Sequence, residues 1–419
     1  MSWQPLPRRR SASRSPTPAG VLRSRCGEYA ADPRGRGIGP SVSADVAIVG
    51  AGITGLSTAF HLGERGAGRI VVYEREGIGA GASGVQPGGV RGQWSTRMNC
   101  ELARRSLAFY RRLDEQLAPR VDPGWRPCGY LFLAERPDTL EQLRADVALQ
   151  NEVGIPSRLV DTQEAAELVP GLRAERTLGG SWCGEDGFFD RPQAVVEAFA
   201  EAALRLGATV EQGEVTAVEP VGPTWRLRFG DGASAEAAAI VLAAGAETPA
   251  LVRPLGIELP IEPEPRYLFY GEPVAERLLE PLVVAPDRRF AAKQLADGRL
   301  LASDLSAAGN PATERERWRA AVRRAIVDLI PRLELVALPI LVGGIYDVTP
   351  DHQALLGPLP GHGTLVVAAG LSGHGFMMAP EIGRGAASYA LGEDPGGELS
   401  QLRPDRFERE ADLTERRIV

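Results

Sequence analysis

Residues 45–75 read DVAIVGAGITGLSTAFHLGERGAGRIVVYER, and this stretch decides the fold. Val46 to Val49 form an unbroken apolar run, the pattern of a strand buried on both faces. A Gly-rich turn follows, then a helix with Leu56, Ala59 and Phe60 on one side, then a second strand ending at Glu74. This is a βαβ unit. Gly50, Gly52 and Gly55 stand where strand becomes helix: the first permits a tight turn, the second lets a pyrophosphate approach the backbone, and the third allows close packing of helix on strand. The helix N-terminus offers unpaired N–H groups and a partial positive charge to phosphates. Glu74 lies 24 residues beyond Gly50, where a carboxylate accepts from a ribose hydroxyl and disfavours a 2′-phosphate. FAD or NAD is therefore expected, and NADP is not.

The next segment separates those two. GIGAGASGVQPGGVR at 77–91 holds Gly77, Gly79, Gly81, Gly84, Gly88 and Gly89 with Ser83 in a single loop. Such a loop cannot be a core element. Its physical use is close approach of backbone to a flat or charged ligand, with room for an isoalloxazine ring.

The whole chain has 419 residues, 44% hydrophobic and 24% charged, which excludes a disordered or disulfide-stapled protein. That length allows two or three domains at roughly 100–200 residues each. Cys26, Cys100, Cys128 and Cys183 are scattered without Cys-x-x-Cys or a neighbouring His, so no metal site is expected. The longest apolar run, AAAIVLAAGA at 237–246, is far short of the ~20 residues of a membrane span. Net charge is −7, yet residues 1–43 carry eight Arg against Glu28 and Asp32. The body is thus acidic and unsuited to nucleic acid. Lys293 is the only lysine, which reads as base composition. Residues 1–43, rich in Arg, Ser and Pro, read as a disordered tail. They are similar to an organellar transit peptide, and the Arg run to a twin-Arg signal, but no apolar h-region follows that run; the extension reads as dispensable or as an over-long start, and the chain as cytoplasmic.

Helices are predicted at 97–117, with Met98, Leu102, Phe109, Leu113 and Leu117 as the stripe, and at 191–206, with Asp190 as N-cap and Pro192 in the first turn. A third runs from Thr313 to Ile330, with a Thr313–Glu316 capping box and Trp318, Val322 and Ile326 inward. Strand-like runs starting at Gly129, Arg266, Arg289, Arg299 and Leu341 read as an antiparallel sheet, while 207–219, 238–247 and 364–376 return to the parallel type. The expected fold is mixed α/β and α+β. A discontinuous Rossmann-type domain (44–95, 175–250 and 342–392) joins an antiparallel-sheet substrate domain (96–174 and 251–341), and 393–419 form a C-terminal tail.

With VGAGITG, Glu74, GAGASGVQPGGVR, LAAGAETPAL at 242–251, YDVTPDHQALLGPLP at 346–360 and AAGLSGHGFMMAPEIG at 368–383, residues 44–392 resemble the FAD-dependent D-amino-acid-oxidase-like superfamily. The sarcosine oxidase and glycine oxidase branch looks most similar. The resemblance implies a pyrophosphate turn at Gly50, Ala51, Gly52, Ile53, Thr54 and Gly55, a ribose acid at Glu74 with Arg75 beside it, and a ribityl-side loop at Gly81, Ala82 and Ser83. It implies ring contacts from Gln86, Gly88, Gly89 and Val90, an adenine contact from the backbone of Val215, and close approach at Ala244 and Gly245. Gly370, Ser372, Gly373, His374, Gly375, Phe376 and Met377 would lie under the pyrimidine end. A helix starting near Ala379 would aim its positive end there. His374, between two glycines, reads as structural rather than as a general base.

Some members of this family tether FAD to a Cys just before the Tyr of the TPD block, where this chain has Gly344 and Ile345; others use a His in the loop after the ribose acid, and that loop has none. The resemblance thus implies non-covalent FAD. A lysine that clamps the substrate carboxylate in sarcosine oxidase is replaced by Met377, leaving Arg91 as the clamp. A second family lysine, beside the flavin N5, falls on Leu301, and Lys293 either faces the flavin or is a solvated strand residue.

The implied chemistry is oxidation of the C–N bond of a small amine or amino acid, N-methylated, D-configured or glycine-like, to an imine by hydride transfer to the flavin. Arg91, Tyr346, Met377 and Lys293 are the candidate catalytic residues, with Tyr270 beside them. Electrons would pass to O2 or to an acceptor protein or quinone, from a homo- or hetero-oligomer. The competing expectation is an FAD-binding assembly factor or electron-transferring subunit with little activity alone. An NAD-linked dehydrogenase is the third.

Overall fold

The apolar run ahead of Gly50 becomes the strand Ser43–Val49, central in the first of three sheets. A computed structural model describes residues 43–408 and 413–416. The expectations for residues 1–42, including Cys26, lie outside the described residues. Ser43–Val49 runs parallel to Ile70–Glu74 on one side and to Ser234–Leu242 on the other, and Thr209–Gln212 extends the sheet in the same direction. Ser234–Leu242 uses its other edge twice, antiparallel to Thr224–Phe229 through Ser234–Ala237 and parallel to His362–Ala369 through Ile240–Leu242. Both faces are covered, as a parallel sheet requires. Ile48, Val72, Val241 and Val366 enter a core with the helices Ile53–Glu64, Pro192–Arg205 and Gly375–Ala390. Ala47, Val71, Ile240 and Val367 fill the opposite side with Trp225, Leu227 and Leu251.

The second sheet has eight strands, in the order Ile340–Val348, Glu262–Pro273, Arg299–Asp304, Phe290–Gln294, Leu282–Ala285, Tyr130–Ala134, Gly179–Cys183 and Arg158–Val160. Every pairing is antiparallel except Leu282–Ala285 with Tyr130–Ala134. Residues paired across antiparallel strands share a face. Phe269, Ala302 and Ala292 are so paired and pack on Trp318, Val322 and Ile326 of the helix Pro311–Leu329. The opposite face is left for the site. A small third sheet joins Gly89–Val90 to Gly187–Phe189 and Trp125–Arg126.

Several local expectations change. The helix predicted at 97–117 divides at Arg112 into Arg97–Arg111 and Leu113–Leu117. Arg191, not Asp190, is the N-cap of Pro192–Arg205, because the Asp190 carboxylate accepts from Ala296 N at 2.8 Å. Asn310 replaces Thr313 as the cap of the third helix: its side chain accepts from Ala312 N, and Glu316 is drawn into a pair with Arg319. The last helix starts at Gly375, four residues ahead of Ala379. Strand pairing also puts Gly179–Cys183 and Ile340–Val348 in the second sheet, so the boundaries expected at 175 and 342 do not follow the hydrogen bonds. Among the described residues of the segment expected as a C-terminal tail, Leu399, Leu402, Arg406 and Glu415 are buried. No helix among the described residues is long and apolar enough to cross a membrane.

Candidate active site

The turn after Ser43–Val49 is shaped by what its glycines leave out. Gly50 has φ +105°, and a Cβ there would lie 2.5 Å from the Ala243 carbonyl of the adjacent strand; only glycine fits. A Cβ on Gly55 would overlap the Gly50 carbonyl. Gly52 caps the helix Ile53–Glu64 without a side-chain acceptor. Two neighbours close over this turn. One Glu74 oxygen accepts from Ala51 N at 2.8 Å and the other from Glu76 N at 2.9 Å, while Ser83 Oγ folds back to accept from Ile53 N at 3.0 Å. Gly213 N donates to the Glu74 carbonyl, which brings Val215 beside the same strand end. Arg75 turns outward and pairs with Glu247.

On the other side of the sheet's C-terminal edge, the segment 370–374 is wound tightly. Gly370, Ser372 and Gly373 all have positive φ, and Ser372 is fully buried. The strained loop is pinned by its neighbour strand: the Asp347 carboxylate accepts from Gly370 N at 2.7 Å and its carbonyl from Ser372 N at 2.9 Å. Gly245, also at positive φ, lies next to Asp347. Ser57 Oγ donates to the Ala379 carbonyl at 2.8 Å, holding the helix that begins at Gly375 against the first helix.

The free face of the second sheet meets both backbone segments. Lys293, Leu301 and Tyr270 are paired across three strands on that face, and Tyr346 shares it through Glu264. The Tyr346 ring occupies the space a Cβ on Gly373 would need; the Tyr130 hydroxyl does the same at Gly89. A Cβ on Gly344 would lie 2.7 Å from Val85 Cγ2. Lys293 Nζ donates to the Pro87 carbonyl and sits 3.9 Å from the centre of the Phe188 ring. Lys293 is 2% exposed, and burial pushes its pKa down to about 7. Met377 is half-buried on the first turn of the last helix.

Arg91 is 1% exposed and stands 3.6 Å from the centre of the Trp94 ring, with Nη1 donating to the Gln93 carbonyl. Trp94 in turn contacts the His374 ring edge-on at 4.3 Å. Burial, then the nearby Arg91 charge, hold the His374 imidazole well below its usual range, which leaves it neutral. Sequence reasoning missed two residues here. Asp186, fully buried, accepts from Gly92 N at 2.6 Å and Gln93 Nε2 at 3.0 Å, and burial raises its carboxyl to about 6. Arg266 stacks on Tyr346 at 5.3 Å. The strand alternation of RYLFY carried a signal for Arg266; nothing in the turn around Asp186 did.

A dinucleotide with a flat ring fits this frame. The turn leaves open space at Gly52, where a Cβ would meet only Ser83 Oγ at 3.3 Å, and at Gly81, where it would meet nothing within 4 Å, and Gln86 Nε2 and His374 Nε2 are buried without a hydrogen-bond partner among the described residues. Comparison with known proteins agrees. The bovine (Bos taurus) FAD-dependent oxidoreductase domain-containing protein 1 is 27% identical over 400 residues, covering 84% of this chain and 82% of that protein. Glycine oxidase of Geobacillus kaustophilus is 30% identical over 354 residues, covering 81% and 90%. The crystal structure of L-proline dehydrogenase from P. horikoshii superposes with a TM-score of 0.79 at 25% identity, covering 88% of this chain and 98% of that one. The profile of the FAD dependent oxidoreductase (DAO) family matches residues 45–389, and the chain belongs to that family.

Proposed function

We propose that this FAD-dependent oxidoreductase oxidises the C–N bond of a small amine or amino acid bearing a carboxylate. The site lies between the Lys293–Tyr346 face and the backbone of 85–91 and 370–375. One observation carries the reading: Tyr346 packs on Gly373, and the Arg266 guanidinium lies over its ring, 5.3 Å from the centre. A carboxylate accepting from Tyr346 would thus sit in the field of the Arg266 cation. Bound FAD supplies the two-electron acceptor for a C–H bond next to nitrogen. The chain's own part is to orient and to exclude water. Arg91 and Tyr346 anchor the acid group, Met377 gives an apolar wall, and Lys293, whose pKa burial lowers to about 7, holds or yields a proton at Nζ beside Pro87. The glycine turn, Glu74 and Ser83 hold the adenosine and pyrophosphate end, and 86–90 with 370–375 hold the ring. FAD is held without a covalent bond, since Gly344 and Ile345 supply no nucleophile. The first sheet forms the FAD-binding part and the second the substrate part, and the protein acts in the cytoplasm with O2 or an acceptor protein or quinone.

The test is anaerobic bleaching of the FAD-loaded chain with N-methyl, D- and L-amino acids and with matching amines lacking the carboxylate. Acidic substrates should bleach the flavin and lose that ability in Arg266→Ala, with neutral amines little affected. Equal loss for both classes would remove the carboxylate from the reading. A flavin that stays oxidised with every compound would favour an assembly factor or electron-transferring subunit, a reading supported by Ile340 and Ile345, half-exposed on an edge strand. Acid precipitation should release the yellow chromophore.

A further inference from the structure

Two charged residues near the C-terminus are among the best buried in the chain: Glu415 is 1% exposed and Arg406 is 5% exposed. Burying a carboxylate is costly unless donors surround it. Glu415 accepts from Ser95 N at 3.0 Å, Ser95 Oγ at 2.5 Å, Thr96 Oγ1 at 3.1 Å and Asn99 Nδ2 at 2.9 Å. These donors open the helix Arg97–Arg111, whose N-terminal field favours an anion. Arg406 grips Asp351 with two bonds of 2.8 and 2.9 Å and donates to the Gln353 carbonyl. Glu415 N adds a bond to the Asp351 carbonyl, and Gln353 Nε2 donates to the Leu413 carbonyl.

Both anchors lead to the walls of the site. Ser95 follows Trp94, which is packed between the Arg91 guanidinium and the His374 ring. The Asp351–Gln353 turn holds Thr349, whose N–H donates to Ser372 Oγ in the strained loop beneath Tyr346. We propose that Glu415 is a positioning residue of the flavin site. Its carboxylate fixes the Ser95–Asn99 turn, and through Trp94 it sets Arg91 and His374 against the ring-side loop. The part of this inference that concerns substrate rests on the function proposed above; the part that concerns FAD does not.

The experiment uses the full chain loaded with FAD, comparing Glu415→Ala and Glu415→Gln with Leu329→Ala, a core truncation behind the second sheet, under Trp318 and away from the site. Three quantities are read: FAD affinity of the apo chain, visible circular dichroism of the bound flavin, and the amine concentration that half-saturates flavin reduction. Glu415→Ala is expected to alter the flavin dichroism and raise half-saturation about fivefold or more, with a limiting rate within about twofold, the split that a binding wall shifted without loss of chemistry gives. Glu415→Gln keeps one acceptor and should recover part of the change. Leu329→Ala should lower the melting temperature without moving the dichroism. Unchanged dichroism and half-saturation in Glu415→Ala, or equal changes in Leu329→Ala, would overturn the proposal. If no amine reduces even the wild-type flavin, the proposed substrate fails, while dichroism and FAD affinity still decide the role of Glu415.

Discussion

Lys293 and Leu301 are direct partners across two antiparallel strands, so their side chains leave the sheet on the same face. A lysine on either strand therefore reaches the same region, and the chain's only lysine is placed beside Pro87 in the glycine-rich 77–91 loop. Its charge is costly in this place. In the unfolded chain a lysine titrates at about 10.4, and in the folded chain burial pushes its pKa down to about 7. Between those values the unfolded state holds more protons, so this residue makes stability rise as pH rises from 7 toward 10 and fall as pH returns through 7. Lys293→Met should flatten that slope. Urea midpoints of the apo chain at pH 7 and 9 check it; equal slopes in both proteins would mean that Lys293 stays charged when folded.

Phe376 and Pro380 make a second prediction. Pro380 lies inside the last helix and has no N–H for the Phe376 carbonyl; Tyr110 Oη donates to that carbonyl instead, at 2.5 Å. Tyr110→Phe leaves a buried carbonyl unpaired and should cost about 1–3 kcal/mol. In a Pro380→Ala background the restored N–H takes over, and the same change should cost less than half as much. Denaturant unfolding of the four proteins measures the coupling. Additive losses would show that the Tyr110 hydroxyl does not stand in for the N–H that Pro380 lacks.

Gly89 must lack a side chain because the Tyr130 hydroxyl fills that volume. Gly89→Ala should destabilise the chain and weaken FAD retention together, since Gly89–Val90 also pairs with Gly187–Phe189. Adding Tyr130→Phe removes the clashing oxygen and should recover at least half of the thermal stability. No recovery would mean that the backbone itself, rather than the hydroxyl, forbids a Cβ.

The nucleotide half was legible because local sequence determines it: strand, glycine turn and acid lie within thirty-odd residues, and each glycine answers a steric demand nearby. The same reading failed where distant contacts decide. Asp190 has the chemistry of a helix cap, but Ala296 N, far along the chain, takes its carboxylate. Thr313 loses its cap to Asn310, because Pro311 suits the first turn of a helix that starts earlier. Arg91 lies over the Trp94 ring, and Trp94 meets His374 edge-on, a packed layer that no spacing rule could predict. Nor did composition mark Glu415, an ordinary acid in a charged terminus until the fold buries it.

Glu74 braces the glycine turn, and the last prediction tests whether it also serves a ribose. The sequence assigns it to a ribose hydroxyl, and the fold has it bracing the glycine turn through Ala51 N and Glu76 N. Glu74→Ala should lower the stability of the apo chain, because two backbone donors lose a charged acceptor, and should also weaken FAD binding. Glu74→Gln keeps one oxygen for a backbone N–H but loses the charge. Its apo stability should stay closer to wild type, while FAD affinity falls by about tenfold, the equivalent of about 1.4 kcal/mol. Calorimetry of the apo chains and FAD titration followed by flavin fluorescence make the comparison. If Glu74→Gln binds FAD as tightly as wild type while Glu74→Ala does not, the carboxylate serves the turn alone, and the adenosine ribose is held elsewhere.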